Sequence, residues 1–184
     1  MPSLDVLAAE ASTCTRCALA VGRTTVVFGT GDPTAGLLFV GEGPGAEEDR
    51  QGLPFVGRSG KLLDRLLSEE MGITRDHCYI ANLVKCRPPG NRDPEPAEIE
   101  ACRPFLAGQL AAIRPRVTVT LGRLAAQVLL GTTERVSRLR GRRFPFGDGV
   151  LIPTWHPSYV LRGGGEPMAQ LRADLVRAKV ALAA

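Results

Sequence analysis

No apolar run in this chain approaches the roughly 20 residues that span a bilayer. Nor does the N-terminus carry a charged segment leading into an apolar core and a cleavage site. A membrane partner is therefore not expected, and the expected location is cytoplasmic. Internal repeats and low-complexity tracts are absent too, which argues against a solenoid and against disorder. With 184 residues, 44% of them apolar and 23% charged, the chain has material for its own core. One domain covering residues 1–184 is expected. Cysteine is sparse and odd in number: five residues cannot all pair as disulfides, and a reducing compartment disfavours such pairing anyway.

What is present is a spacing. Cys14 and Cys17 form a Cys-x-x-Cys pair, and Cys86 and Cys102 follow far downstream. Such a pair chelates one edge of a metal centre from a tight turn, while two distant thiolates close a long loop onto it. Four thiolates suit zinc or an iron–sulfur cluster, and Cys78 is left outside as a strand residue. The net charge of +4 mildly favours a polyanionic partner. Arg135, Arg138, Arg140, Arg142 and Arg143 crowd one stretch, which suits phosphate contact as well as a solvated face.

Four short apolar runs read as buried parallel strands: Leu37–Val40, Cys78–Val84, Val117–Leu121 and Val150–Thr154. Thr24–Phe28 is a candidate edge strand. Helical spacing covers Lys61–Met71 with Ser59 as its cap, Pro96 to Ile113, Arg123–Leu130 and Glu166–Leu182. Pro104 is expected to kink or split the second of these. Alternation of strand and helix means an α/β fold, in which ligands bind beyond the carboxyl ends of the strands. Gly41–Gly45, Asn82 and His156 all fall at or just past such ends, so three distant pieces of chain converge on one pocket.

The loop Gly41-Glu42-Gly43-Pro44-Gly45 lacks the lysine and hydroxyl of a phosphate-cradling NTPase loop and the spacing of the dinucleotide fingerprint. Glu47, Glu48 and Asp49 follow at once, a run that repels phosphate and suits orienting water or stabilising a cation. Taken in order with Gly52-Leu-Pro-Phe-Val-Gly57, Asn82-Leu-Val-Lys-Cys-Arg-Pro-Pro89, Asn91-Arg-Asp-Pro94 and His156-Pro-Ser-Tyr-Val-Leu-Arg162, the pattern resembles the family-4 uracil-DNA glycosylases, from Cys14 to about Arg162. The resemblance implies a three-layer α/β/α sandwich with a central four-stranded parallel sheet. It also implies a [4Fe-4S] cluster on Cys14, Cys17, Cys86 and Cys102, and hydrolysis of the N-glycosidic bond of uracil in DNA.

A base stacked in duplex must be flipped out before that bond is reachable. On this resemblance Phe55 stacks on the flipped ring. Asn82 donates to uracil O4 and accepts from N3–H, a pattern that cytosine reverses. Backbone amides of Gly41 to Gly43 add donors, and His156 donates to O2 as negative charge develops on the departing base. A carboxylate stabilises the sugar cation and orients water: Glu48 is expected in that role and Glu42 in organising the pocket. Glu47 and Asp49 are substitutes, and Asn91 supports the water or the loop. Tyr159, Val160 and Leu161 are candidate wedges into the duplex. Arg162, Lys61 and the arginine group are candidate phosphate contacts.

Lys85, next to Cys86, is expected to point to solvent or phosphate rather than to attack the sugar and form a Schiff base. His77 is given no role. Arg87–Pro94 contains no histidine, which argues against covalent trapping of DNA there. The expectation is a monofunctional, monomeric enzyme acting on uracil-containing DNA. The competing reading is a non-enzymatic nucleic-acid-binding module built on structural zinc.

Overall fold

The computed structural model describes residues 2–184. Its centre is a sheet of strands β1 (Thr30–Gly31), β2 (Leu37–Gly41), β3 (Tyr79–Asn82), β4 (Val117–Leu121), β5 (Phe144–Phe146) and β6 (Gly149–Thr154), in the order β1-β3-β2-β4-β6-β5. The four central strands are parallel, and the edges β1 and β5 run antiparallel to their neighbours. The expected four-stranded parallel sheet is therefore there with an added strand on each side. Thr24–Phe28 is not the edge strand; the pairing lies slightly later, at Thr30 and Gly31. Both edges are short, and β5 carries Pro145, which suits a strand with a free side.

Side chains alternate along β2, so Leu37 and Phe39 enter one apolar core and Leu38 and Val40 the other. The helices are α1 (Leu4–Ser12), α2 (Leu19–Gly22), α3 (Ala46–Gln51), α4 (Arg58–Leu66), α5 (Pro96–Ile113), α6 (Arg123–Leu130), α7 (Val136–Leu139), α8 (Pro157–Gly163) and α9 (Gly165–Ala183). Leu62, Leu63 and Leu66 of α4 and Leu171 and Leu175 of α9 cover the first face. Leu106 and Ile113 of α5 and Ala125 of α6 cover the second. Helices on both faces make the three-layer α/β/α arrangement, which explains why the central strands are buried along almost their whole length.

Two helix expectations change. Ser59 does not cap α4, which starts one residue earlier behind Gly57 and runs into a wider π turn at Leu67–Met71. Pro104 leaves α5 continuous, because it lies on the solvent side, where water can serve the carbonyl that its ring leaves unbonded. Glu95 and Glu98 close the start of α5 with a reciprocal capping box.

Candidate active site

The chain goes from β2 to one side of the sheet for β3 and to the other for β4, opening a crevice at the carboxyl ends. Parallel register sets Gly41 opposite Asn82. Gly122 follows the end of β4, and Trp155 and His156 follow the end of β6. A cavity of about 560 Å³ opens there, lined among others by Glu42, Gly43, Phe55, Asn82, Gly122 and His156.

Asn82 is 1% exposed, and its Oδ1 has no hydrogen-bond partner among the described residues. Leaving a buried acceptor unpaired costs about 1–3 kcal/mol, a penalty that a ligand donor removes. A Cβ on Gly41 would stand 2.5 Å from that oxygen and 2.6 Å from Phe55 Cζ, so only glycine lets the ring and the amide meet over this strand end.

Phe55 has φ +52°, a left-handed conformation that costs a bulky residue roughly 1–3 kcal/mol. The neighbourhood enforces it. Glu48 Oε1 accepts from the backbone N–H groups of Val56 (3.0 Å) and Gly57 (2.9 Å). The Arg75 guanidinium donates to the carbonyls of Pro54 (2.8 Å) and Phe55 while pairing with Asp64. A side chain at Gly60 would run into the Phe55 carbonyl. Held this way, the Phe55 ring lies 5.7 Å from the His156 ring, centroid to centroid, tilted by 32°.

His156 is the N-cap of α8, and its Nδ1 accepts from the Ser158 backbone N–H at 3.1 Å. A ring that accepts at Nδ1 carries its proton on Nε2, which makes Nε2 a donor. Burial, with help from the Arg162 charge and against that of Glu48, lowers the His156 pKa to about 4. The ring is therefore neutral at physiological pH.

The carboxylates divide by environment. Glu42 lines the cavity and accepts only a long bond, 3.3 Å, from the Leu124 N–H. Its pKa is raised, by burial first and the Asp93 charge in addition, while the Leu124 N–H and Arg123 oppose. Glu48 also lines the cavity but gives one oxygen to the Phe55 loop. Glu47 pairs with Arg50 on the surface. Asp49 is buried and accepts from the Thr24 and Thr25 N–H groups, and neither carboxylate lines the cavity. Asn91, with φ +56°, gives its amide oxygen to Arg87 Nε at 2.7 Å on the cavity rim.

Of the three wedge candidates, Val160 is corrected: at 2% exposed it packs into the core. Tyr159 and Leu161 are exposed, 43% and 41%, and the Tyr159 ring leans on Trp155 at 4.7 Å. Arg162 stands at the cavity. Lys61 is exposed at the start of α4. Among the crowded arginines, Arg140 is not available to phosphate, because it forks onto the buried Asp174 through Nε (3.0 Å) and Nη2 (2.7 Å).

Cys14, Cys17, Cys86 and Cys102 line one small cavity with Arg23, Lys85 and Phe105, and none is in a disulfide. Cys78 lies elsewhere, wholly buried against the sheet. Burial pushes the Cys102 thiol up to about 11 and raises Cys86 as well. Bare thiolates are thus disfavoured there, and a cationic centre that keeps them deprotonated fits the site. Two N–H groups already point at the sulfurs: Arg23 Nη1 at Cys86 (3.5 Å) and Lys85 N at Cys102 (3.3 Å). Among the described residues no three His, Cys, Asp or Glu side chains are arranged to hold a single ion.

The Lys85 expectation is overturned. The side chain is 1% exposed and faces neither solvent nor phosphate. Its Nζ donates to the Asn82 carbonyl (2.8 Å) and to Gln109 Oε1 (2.6 Å), partners supplied by β3 and by α5. Sequence reasoning also missed Arg75, Gly122 and Gln109. Gly122 was within reach, since it ends a strand as Gly41 does, and a Cβ there would meet Glu42 and His156, each at 3.1 Å. Nothing local in the sequence marks the other two.

The family model described as the uracil DNA glycosylase superfamily matches residues 28–178. A type-4 uracil-DNA glycosylase of Thermotoga maritima is 43% identical over 96% of this chain and 93% of its own length. Type-4 enzymes of Archaeoglobus fulgidus and Saccharolobus solfataricus are 44% and 43% identical, each over 88% of this chain and over 84% and 78% of their own lengths.

Proposed function

The chain belongs to the uracil-DNA glycosylase superfamily, and we propose on that footing that it is a monofunctional enzyme excising uracil from DNA with the pocket just described. It is a uracil-DNA glycosylase, similar to the type-4 uracil-DNA glycosylases above, and DNA repair is the role that such excision serves. The observation that carries the assignment of the pocket is the unpaired Asn82 Oδ1, buried beside Phe55. Uracil flipped between Phe55 and the strand ends offers N3–H to that oxygen and O4 to the amide nitrogen; cytosine offers the reverse and leaves both groups unpaired.

As the C1′–N1 bond breaks, its electron pair passes to the base, and negative charge gathers at O2. The neutral His156 donates from Nε2 to that oxygen without giving up its proton. Water then adds at C1′ of the oxocarbenium-like sugar, its proton passing to the Glu42 carboxylate and on to solvent, leaving an abasic site and the uracil anion, which solvent protonates on release. We assign the orientation of that water to Glu42, which faces the cavity with one weak protein contact, and the holding of Phe55 to Glu48. This exchanges the two roles expected from sequence. Water is the nucleophile because the Lys85 amine is occupied and shielded, which supports a hydrolase over a lyase.

Cys14, Cys17, Cys86 and Cys102 would hold a [4Fe-4S] cluster, which supplies a structural cross-link between the N-terminal segment and the chain just beyond Asn82. The gathering of all four cysteines around one small cavity, with none in a disulfide, supports that reading. About four iron and four sulfide per chain in anaerobically purified protein is the expected content; one zinc and no sulfide would reject it. For the pocket, Asn82→Asp is expected to narrow the ratio of uracil to cytosine excision by 10-fold or more, to about the level one reversed hydrogen-bond pair sets. An unchanged ratio would mean another group reads the base.

A further inference from the structure

We propose that Lys85 is a positioning residue that holds the base-reading Asn82 in place and ties it to the cysteine site. The inference rests on the reading of Asn82 given above. Three observations meet at this side chain. Lys85 is among the largest wholly buried side chains, and among the described residues no carboxylate pairs with it. A buried amine without hydrogen-bond partners is costly, so such a lysine persists only where its hydrogen bonds are well placed.

The partners of Nζ belong to two elements. One is the carbonyl of Asn82 itself, 2.8 Å away at the end of β3; the other is Gln109 Oε1 on α5, at 2.6 Å. Gln109 is wholly buried, and its Nε2 donates to the Phe28 carbonyl at 2.9 Å, while the Phe28 ring faces Nζ at 5.6 Å. The amine is therefore fixed from the helix side and pins the strand end on which Asn82 sits. The Asn82 side chain has no protein partner for Oδ1. Its aim into the cavity thus depends on backbone placement, and Lys85 controls that placement from behind.

The other end of Lys85 reaches the cysteines. Its backbone N–H donates to Cys102 Sγ at 3.3 Å, and its carbonyl accepts from Val27 N at 2.7 Å, in the segment that follows Cys14 and Cys17. One residue thereby bonds to the base-reading strand end through its side chain and to the thiol site through its backbone. A side chain that only filled space would not need the two Nζ bonds, and a methionine of similar length would replace it.

The test is a double-mutant cycle on single-turnover excision of uracil, with Lys85→Met, Asn82→Ala and the pair, recording iron per chain and the visible spectrum of each protein. Lys85→Met alone is expected to slow excision about 10- to 100-fold, the effect of leaving two buried acceptors, the Asn82 carbonyl and Gln109 Oε1, without their donor. In the Asn82→Ala background the same change is expected to cost less than about threefold, because the group it positions is gone. Iron content is expected to hold, with a shifted visible spectrum reporting the altered Cys102 neighbourhood. Equal losses in both backgrounds, or no loss in the first, would overturn the inference. If Lys85→Met does not fold, Gln109→Leu, which removes the helix-side anchor, is put through the same cycle with the same two outcomes. Wild-type protein that leaves uracil in place would instead defeat the underlying reading, so the two failures are distinguishable.

Discussion

A Cβ placed on Gly41 would lie 2.5 Å from Asn82 Oδ1. Parallel pairing puts these two residues side by side at neighbouring strand ends, so the first glycine of the Gly-Glu-Gly-Pro-Gly loop is a steric requirement of the amide next to it. Gly41→Ala is expected to fold and to cut the single-turnover rate on uracil by about 100-fold, as displacements near 1 Å do in a preorganised site. A near-normal rate in that variant would mean that Asn82 and Phe55 do not work at the positions described.

His156 sets the pH response. Its pKa falls from 6.5 to about 4 because burial disfavours the charged ring. Between these values an unfolded chain binds a proton that the folded chain refuses, so the residue's contribution to stability is full above about pH 6.5. It is lost as pH falls toward 4, by up to about 3 kcal/mol. The excision rate is expected to show no histidine-like acid limb near pH 6.5, and the gap in thermal stability between wild type and His156→Gln is expected to shrink as pH falls from 7 to 4. A rate that halves at pH 6.5 and recovers its flat profile in the Gln variant would contradict the neutral assignment.

Tyr159 and Leu161 project from α8 beside the cavity, while Val160 between them faces inward. If the exposed pair fills the space left by a flipped base, its removal affects duplex more than single strands. Tyr159→Ala/Leu161→Ala is expected to slow excision from duplex about 10-fold or more and from single strands less than about threefold, consistent with an unstacking cost of a few kcal/mol. Equal slowing on both substrates would remove the wedge role.

The arginines differ in what they can give to DNA. Arg140 is spent on Asp174, whose buried carboxylate also accepts from Thr154 Oγ1 at 2.7 Å. Asp174→Ala is expected to destabilise the fold by about 3–5 kcal/mol, the loss that follows when one partner of a buried pair is removed. Arg140→Ala is expected to leave the salt dependence of DNA binding unchanged, whereas Arg162→Ala lowers its slope by about one. The reverse pattern, read from affinity across a salt series, would relocate the phosphate contacts.

Much of this architecture is legible in the sequence because short apolar runs stop at Gly41, Gly122 and Trp155-His156, and a parallel sheet gathers such ends; the run read as Cys78–Val84 pairs only over Tyr79–Asn82. The edges were not legible: β1 has two residues, and β5 is interrupted by Pro145, so neither forms a recognisable run. The inward turn of Val160 was available in principle, since Pro157 and Val160 are three apart on one helical face and both are buried. Lys85 was not, because a lysine beside a metal-type cysteine ordinarily reaches for solvent. Its burial depends on Gln109, brought close only by folding. The division between Glu42 and Glu48 was equally hidden, because it turns on backbone N–H groups at Val56 and Gly57 that a loop sequence does not display.

The most direct measurement uses the metal-loaded protein and an end-labelled oligonucleotide with one uracil, followed by alkali to cleave abasic sites. Scission is expected at the uracil alone, with none in matched strands carrying thymine or cytosine, and none before alkali. An intact uracil strand after prolonged incubation would contradict it.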